Sequence, residues 1–457
     1  MTVFGAGRGR VRFARIACLL LATLGWVNVA VLGRAMLSRN PPAAGFDLEL
    51  LLEAARRMAA GRSPYDPSAV AGGLEARDLF YSYPPVVAQA LVPLSGLPGW
   101  VVLSLWIAGA ALGLGVVAAL LPRTAIGRPR TAIRDLGLDT VLLTAAVAPF
   151  FFPFTVALLF GNVDAWFPLL LGLVVVAVGG AGAASPARTR AVVGGVSLAV
   201  AAAVKIHPAT VVVWLLWRLR RPLRAQVSLL GLLAATLAAG VGILVVSLAL
   251  GGPGPWREYF DYMRLGSEAD LDSRVNIGPA SQISLLLGNS DLARPAALVA
   301  GVAAVALAVL AALRVGDPLE SVAWAILASL VVLPVTWYHY PVALMPVALA
   351  AWTRSRGAGA GRRITIWLLA AVLVADAAIL LPVALWLAIG CLFVAVRLSR
   401  QSLPGDPQNP AGRLAVAGLP GAATQQASGG RPRYNRLQPG RLSRPLDGAD
   451  ENTAGES

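Results

Sequence analysis

Charge is the first thing this sequence is short of. Asp, Glu, Lys and Arg together make up 13% of the chain, against roughly a quarter in soluble globular domains. So little charge cannot cover a water-facing surface. Lysine is almost missing: Lys205 is the only one, and apart from two histidines, His207 and His339, every other basic residue is arginine. Cysteine occurs twice, as Cys18 and Cys391, each inside an apolar run. That excludes a disulfide framework and a cysteine-based metal site. There is no Walker loop, no GxGxxG after a strand and no Cys/His cluster at metal spacing, so no resident cofactor is called for, although a divalent metal stays open. A short-period repeat of the solenoid kind is also absent.

What the chain has instead is apolar length. Of its 457 residues 57% are hydrophobic, and the mean hydropathy is +0.70. Runs of about 18 or more apolar residues recur, each long enough to cross about 30 Å of hydrocarbon. The net charge of +15 would suggest nucleic acid in a soluble protein. Here the basic residues sit in short loops between apolar runs, which is the positive-inside pattern, and no nucleic-acid partner is expected.

The arginines set a topology. Arg8, Arg10 and Arg12 precede the first span, Ala14–Gly33, and Arg15 sits at its very start. This span is long for a signal peptide and lacks a clear small-residue cleavage site, so it reads as an anchor. With the N-terminus cytoplasmic, residues 34–99 form an external loop. Val101–Leu121 returns to Arg123, Arg128, Arg130 and Arg134; Leu138–Phe160 goes out, broken near Pro149 and Pro153; Val163–Gly182 comes back. Ala191–Trp217 has basic residues at both ends, which a hairpin satisfies, with its tip at Lys205-Ile206-His207-Pro208. Its arms, about 14 and 10 residues, are shorter than a full span of about 20. Val227–Leu250 leads to a second external loop, 251–295, and Ala296–Leu313 returns. A further hairpin, Glu320–Thr336 and Pro341–Trp352, carries Trp337-Tyr338-His339-Tyr340 at its outer tip, and two arms end at Arg397 and Arg400.

The expected fold is all-α, a polytopic transmembrane helical bundle of about twelve segments with short re-entrant helices and external amphipathic loop helices. Residues 1–13 form a basic cytoplasmic N-terminus, 14–396 the membrane domain, and 397–457 a cytoplasmic tail. The tail is rich in Ser, Pro, Gly, Gln and Arg, has no periodic apolar face, and is expected to be disordered, with arginines free to touch anionic membrane lipids. Inside the first external loop, Leu48, Leu51, Leu52, Ala55 and Met58 have helical spacing. They predict an amphipathic helix over Asp47–Ala60 lying along the membrane surface.

Polar residues that hydropathy would exclude gather on one face. Asp47 follows span one, Lys205 and His207 cap one hairpin, His339 caps another, and Asn162 and Asp164 occupy an outer turn. Ionisable groups at membrane depth are costly and usually functional. Each has a plainer alternative: Asp47 as the N-cap of the helix starting at Leu48, Lys205 as a snorkelling side chain, Tyr81 and Tyr83 as interfacial anchors. A transporter or flippase of lipid-linked sugars would place polar groups about a midplane site, and a non-catalytic scaffold would leave Asp47, Lys205 and His339 without a role.

Four pieces of sequence resemble glycosyltransferase family 87. Asp47 leads into a helix and then Gly61-Arg62-Ser63-Pro64-Tyr65; Tyr83-Pro84-Pro85 precedes an apolar run ending at Pro93-Leu94; Gly161-Asn162-Val163 precedes a span and then Val204-Lys205-Ile206-His207-Pro208; Leu333-Pro334-Val335-Thr336-Trp337-Tyr338-His339 completes the set. The chain departs from the pattern at Asn162, where the family usually has Gln, and at Ala280-Ser281-Gln282-Ile283-Ser284, where it usually has an Asn-Gln-Ser run.

The resemblance implies a GT-C fold and an inverting α-1,2-mannosyltransferase in the plasma membrane with its active site outside. The partners implied are a polyprenyl phosphate sugar donor and a glycolipid or cell-wall polysaccharide acceptor. Asp47 would be the general base, with His339 orienting it or the acceptor, or serving as base itself. Lys205 and His207 would hold the donor phosphate. Tyr81, Tyr83, Asn162, Asp164, Gln282 and Trp337 would line the substrate site.

Overall fold

A computed structural model of the protein describes residues 3–39, 43–66, 81–124, 130–179, 187–221, 226–269, 271, 276–355, 360–377 and 382–400. Among them the chain is helical from end to end, its one β feature being a bridge between Asn276 and Trp337. A long first helix, α1 (Val3–Leu37), is followed by two short ones, α2 (Phe46–Ala59) and α3 (Pro85–Leu91). The bundle then runs through α4 (Gly99–Leu120), α5 (Arg130–Val147), α6 (Phe152–Phe160), α7 (Phe167–Gly179), α8 (Ala187–Val204), α9 (Ala209–Arg218) and α10 (Gln226–Gly251). Two more short helices, α11 (Gly254–Ala269) and α12 (Pro279–Leu287), precede α13 (Ala293–Arg314), α14 (Pro318–Val331), α15 (Met345–Ser355), α16 (Ala360–Ala377) and α17 (Pro382–Arg400).

Five of the described helices, α1, α4, α8, α10 and α13, are long and apolar enough to cross a membrane. The pair α5 and α6 makes a sixth if counted as one span, bent by 73° at Phe151. The bend has a local cause, since Pro149 and Pro153 each remove a backbone donor where the ladder would continue. The protein is therefore a polytopic helical membrane protein.

Two cores hold it. The larger runs through the bundle and includes Leu114 and Val117 of α4, Phe154 and Leu158 of α6, Phe167 and Leu171 of α7, Trp214 of α9 and Ile326 of α14. The smaller joins α2 and α3 to the aromatic residues Tyr65, Tyr81, Tyr259 and Tyr262.

Several expectations shift against this frame. The amphipathic helix exists, but Leu48, Leu51, Leu52, Ala54 and Ala55 are buried in the smaller core. Its apolar face is covered by protein, so it is not laid on lipid. The first hairpin arm is longer than expected: α8 takes in Arg188 and Arg190 and reaches 18 residues, enough to be a span by itself. Residues 397–400, assigned to the tail, continue α17. The rest of the expected tail, 401–457, lies outside the described residues, as does Arg128 of the charge pattern.

Candidate active site

The site is built on the turn between α6 and α7. Helix α6 ends at Gly161, which adopts φ 68°, a left-handed conformation that only glycine takes without strain. Space makes the same demand: a Cβ at Gly161 would stand 2.5 Å from Leu48 Cβ. The reversal places Asn162 as the cap of the 3₁₀ turn Val163–Trp166, with its Oδ1 accepting from the Asp164 amide at 2.9 Å. Its own amide N–H is tied to the Ala157 carbonyl at 2.8 Å. The Trp106 indole donates to the Asn162 carbonyl at 3.1 Å.

Asp47 comes to this turn from α2. The helix is capped by Gly45, left-handed at φ 74°, with no side-chain cap bond, and the Gly45 N–H is held by the Leu159 carbonyl at 2.7 Å. Asp47 is thus inside the first helical turn and does not cap it. Its Oδ2 instead accepts from Asn162 Nδ2 at 2.7 Å, and the same nitrogen lies 3.3 Å from the Tyr83 hydroxyl.

On the other side of Asn162 sits a buried ionic group. Asp164 is fully buried. Lys205, in the loop after α8, donates to Asp164 Oδ2 at 2.8 Å, and its Nζ stands 3.9 Å from the Tyr340 ring centroid and 5.5 Å from that of Tyr83. His339 Nε2 is 3.2 Å from the same Asp164 oxygen but off hydrogen-bonding alignment. Asp164 Oδ1 and His339 Nδ1 are buried without a partner. Buried polar atoms are rarely left so, and here they converge beside a half-buried carboxylate.

The environment also tunes that carboxylate. Burial pushes the Asp47 carboxyl above its ordinary value, while His339, the Asn162 hydrogen bond and Lys205 oppose the rise and Asp164 adds to it. A carboxylate lifted this way accepts a proton better than a free aspartate does. Tyr83, nearby, is held protonated by burial and by the negative charges of Asp47 and Asp164.

The structure therefore brings together Asp47, Tyr83, Asn162, Asp164, Lys205 and His339. It sets four expected residues apart. His207 lies behind Tyr340, stacked on its ring at 6.0 Å and edge-on to Phe167, with Nδ1 3.3 Å from Ser329 Oγ. That position is inside the bundle core and not on the site. Tyr81 is a packing residue: its hydroxyl donates to the Pro84 carbonyl and accepts from the Ala88 amide. Gln282 donates to the Asn276 carbonyl at 2.8 Å, and Trp337 pairs with Asn276 in the single bridge.

Two residues escaped the sequence reading. Tyr340 supplies the ring over which Lys205 sits, and its place in the Trp337-Tyr338-His339-Tyr340 tip was the available signal. Asn276 is a fully buried latch. Its Oδ1 accepts from the amides of Gly278 and Thr336, and its Nδ2 donates to the Leu271 and Pro334 carbonyls. It ties the segment before α12 to the turn that carries His339. Its signal was an asparagine in Asn276-Ile277-Gly278-Pro279, a helix-entry pattern.

Among the described residues no group of three His, Cys, Asp or Glu side chains could hold a metal ion. A groove of about 550 Å³ lies between α1 and α4, lined by Trp26, Val29, Arg34, Leu103, Ile107 and Leu159 among others. It shares Leu103 with the wall behind Gly161, but none of the cluster's polar side chains lines it.

Residues 81–337 match the model of Glycosyltransferase family 87. The stretch takes in Tyr83, Asn162, Asp164 and Lys205, starts after Asp47 and ends two residues before His339. No curated protein matches the chain.

Proposed function

Because this chain belongs to glycosyltransferase family 87, we propose that it transfers a mannosyl residue from polyprenyl phosphate mannose to a glycolipid or cell-wall glycan acceptor, with inversion, on the outer face of the plasma membrane. The observation that carries this reading is the half-buried Asp47 carboxylate, held at 2.7 Å by Asn162 beside the buried Lys205–Asp164 pair.

In the reaction the acceptor hydroxyl oxygen attacks the anomeric carbon from the face opposite the phosphate. The bond from that carbon to the phosphate oxygen breaks, and the lipid phosphate leaves with the electron pair. Asp47 takes the hydroxyl proton. One carboxylate suffices because phosphate is a good leaving group, unlike the sugar oxygen that glycosidases must protonate. Negative charge grows on the departing phosphate, and Lys205 is the cation placed to offset it in a site that water does not screen. His339, beside Asp164, orients the acceptor or Asp47. The arginine pattern puts both termini, residues 1–13 and 401–457, in the cytoplasm on either side of the membrane domain.

The test is purified protein in lipid vesicles, given synthetic polyprenyl phosphate mannose and a glycolipid extract of the native membrane. The expected product is an α-mannosylated lipid. Transfer from a pentose or glucose donor in place of mannose would overturn the donor assignment, and lipid crossing the bilayer without product would make the chain a flippase. Sidedness is tested separately with impermeant thiol labelling in intact cells, in a chain whose two cysteines are replaced by serine. Glu49→Cys should label and Arg356→Cys should not; the reverse pattern overturns the orientation.

A further inference from the structure

We infer that Asn162 is a positioning residue that aims and tunes Asp47, and that neither of its side-chain N–H groups is left for the sugar. The inference rests on Asp47 being the base.

A side-chain amide offers two N–H donors and one carbonyl oxygen. At Asn162 the oxygen is taken by the Asp164 amide at 2.9 Å. The nitrogen serves Asp47 Oδ2 at 2.7 Å and lies 3.3 Å from the Tyr83 hydroxyl. The backbone groups are committed too, to Ala157 and Trp106, and the residue is 4% exposed. Both side-chain N–H donors are engaged, and the oxygen's remaining lone pair belongs to a side chain buried away from solvent. What Asn162 does is fix one oxygen of Asp47 in a short, charge-assisted bond, which leaves Oδ1 as the oxygen presented to the acceptor hydroxyl. Gly161 and the Ala157 bond hold the turn, so Asn162 cannot swing away.

The bond also sets basicity. Asp47 is faced by His339 from the turn after α14, Lys205 from the loop after α8, Asp164 and Asn162 from the turn after α6, Tyr83 from the segment before α3, and Tyr338 and Tyr340 on either side of His339. Of these, Asn162 is the neutral donor in direct contact, and its bond favours the ionised form. Without it burial still raises the Asp47 carboxyl, and one opposing influence is gone. The base is active when ionised, so activity is lost as pH falls through its pKa, and removing the donor moves that loss to higher pH.

Asn162→Asp is the decisive variant. It is nearly isosteric and keeps an oxygen to cap the turn, since Asp and Asn cap about equally. It replaces the donor with a second carboxylate against Asp47, and paired carboxylates raise one another's pKa. The experiment measures kcat against pH for wild type, Asn162→Asp and Asn162→Ala, reconstituted in vesicles with polyprenyl phosphate mannose. The acid limb should move up in both variants, more in Asn162→Asp. A loss of about 10- to 100-fold near neutral pH should recover to within a few fold at alkaline pH, with donor and acceptor KM unchanged. A limb that stays put while activity drops equally at every pH would make Asn162 merely structural. A raised acceptor KM would make it a binding residue. Either result overturns the inference. The base assignment is judged apart from it, by Asp47→Asn: if that variant is inactive while the acid limb of Asn162→Asp is unmoved, only the positioning role fails.

Discussion

At the Lys205 end of α9 a buried carboxylate and a buried imidazole keep atoms without hydrogen-bond partners: Asp164 Oδ1 and both ring nitrogens of His339. At the Arg218 end, ten residues or about 15 Å along the helix, Arg218, Asp317 and Arg354 leave no buried side-chain atom without a partner among the described residues. Arg218 donates to the carbonyls of Ala312, Val315 and Gly316, closing the C-terminus of α13. Arg354 holds both oxygens of Asp317 at 2.9 Å, and Asp317 also caps α14 by accepting from the Glu320 amide at 2.8 Å. Both clusters bury charge, and both cost desolvation. The complete one is a fastener between helices. The incomplete one, with the half-buried Asp47 carboxylate beside it, keeps polar atoms open, as the proposed function requires of a substrate site. In this protein, satisfaction of the buried charge separates the two roles better than burial does.

The comparison breaks most sharply at Asp47. Asp47→Asn keeps size and removes basicity, and because Gly45 caps α2 the helix start is untouched. Transfer should fall by about 10² to 10⁴, with insertion and donor binding preserved. Wild-type turnover by the purified variant would send the search for the base to His339.

Arg354→Ala attacks the complete cluster. The pair is mostly buried, with side-chain exposures of 12% and 8%, and losing one partner strands the other. Breaking such a pair costs about 3–5 kcal/mol of stability, read as a lower melting temperature in detergent. The protein that remains folded should transfer sugar at the wild-type kcat. A lost kcat with unchanged melting would place the fastener in the reaction and dissolve the distinction.

Much of the frame was legible because its signals are local. The break at Pro149 and Pro153 follows from backbone chemistry, and the span of α2 follows from five apolar residues at helical spacing. What covers that apolar face was not legible: periodicity marks a buried side but not its partner, and Tyr259 and Tyr262 lie some two hundred residues away in the chain. The length of α8 was underestimated because Arg188 and Arg190 mark where lipid ends, and a helix need not end there. Asp47, Asn162, Asp164, Lys205 and His339 could each be picked out as costly residues in an apolar chain. Their pairings could not, since Asn162 meets Asp47 across 115 positions. Asn276 and Tyr340 were passed over because a polar loop residue and an aromatic tip are ordinary until the fold gives them partners.

Lys205 tests whether charge alone completes the open cluster. Lys205→Ala leaves Asp164 buried without its cation and should lower both stability and transfer. Lys205→Arg restores charge, but a planar fork replaces a compact ammonium in the space between Asp164 and the Tyr340 ring, 3.9 Å from Nζ. Its activity should fall between alanine and wild type. Full activity with arginine would make Lys205 a snorkelling side chain whose geometry does not matter.

The smallest effect expected is at Tyr83, and it sharpens the reading of Asn162. The Tyr83 carbonyl accepts from the Tyr65 hydroxyl at 2.8 Å, and its ring lies 5.5 Å from Lys205 Nζ. Tyr83→Phe keeps both. It removes only the hydroxyl, which stands 3.3 Å from Asn162 Nδ2, a long bond between neutral groups. Such a bond is worth about 1 kcal/mol net, so kcat should drop by about fivefold. The acid limb should hardly move, because the shorter bond to Asp47 survives. A hundredfold loss would mean that the hydroxyl touches the reacting sugar. No loss at all would mean that the second N–H of Asn162 is idle, and the amide would then have one donor left for a substrate.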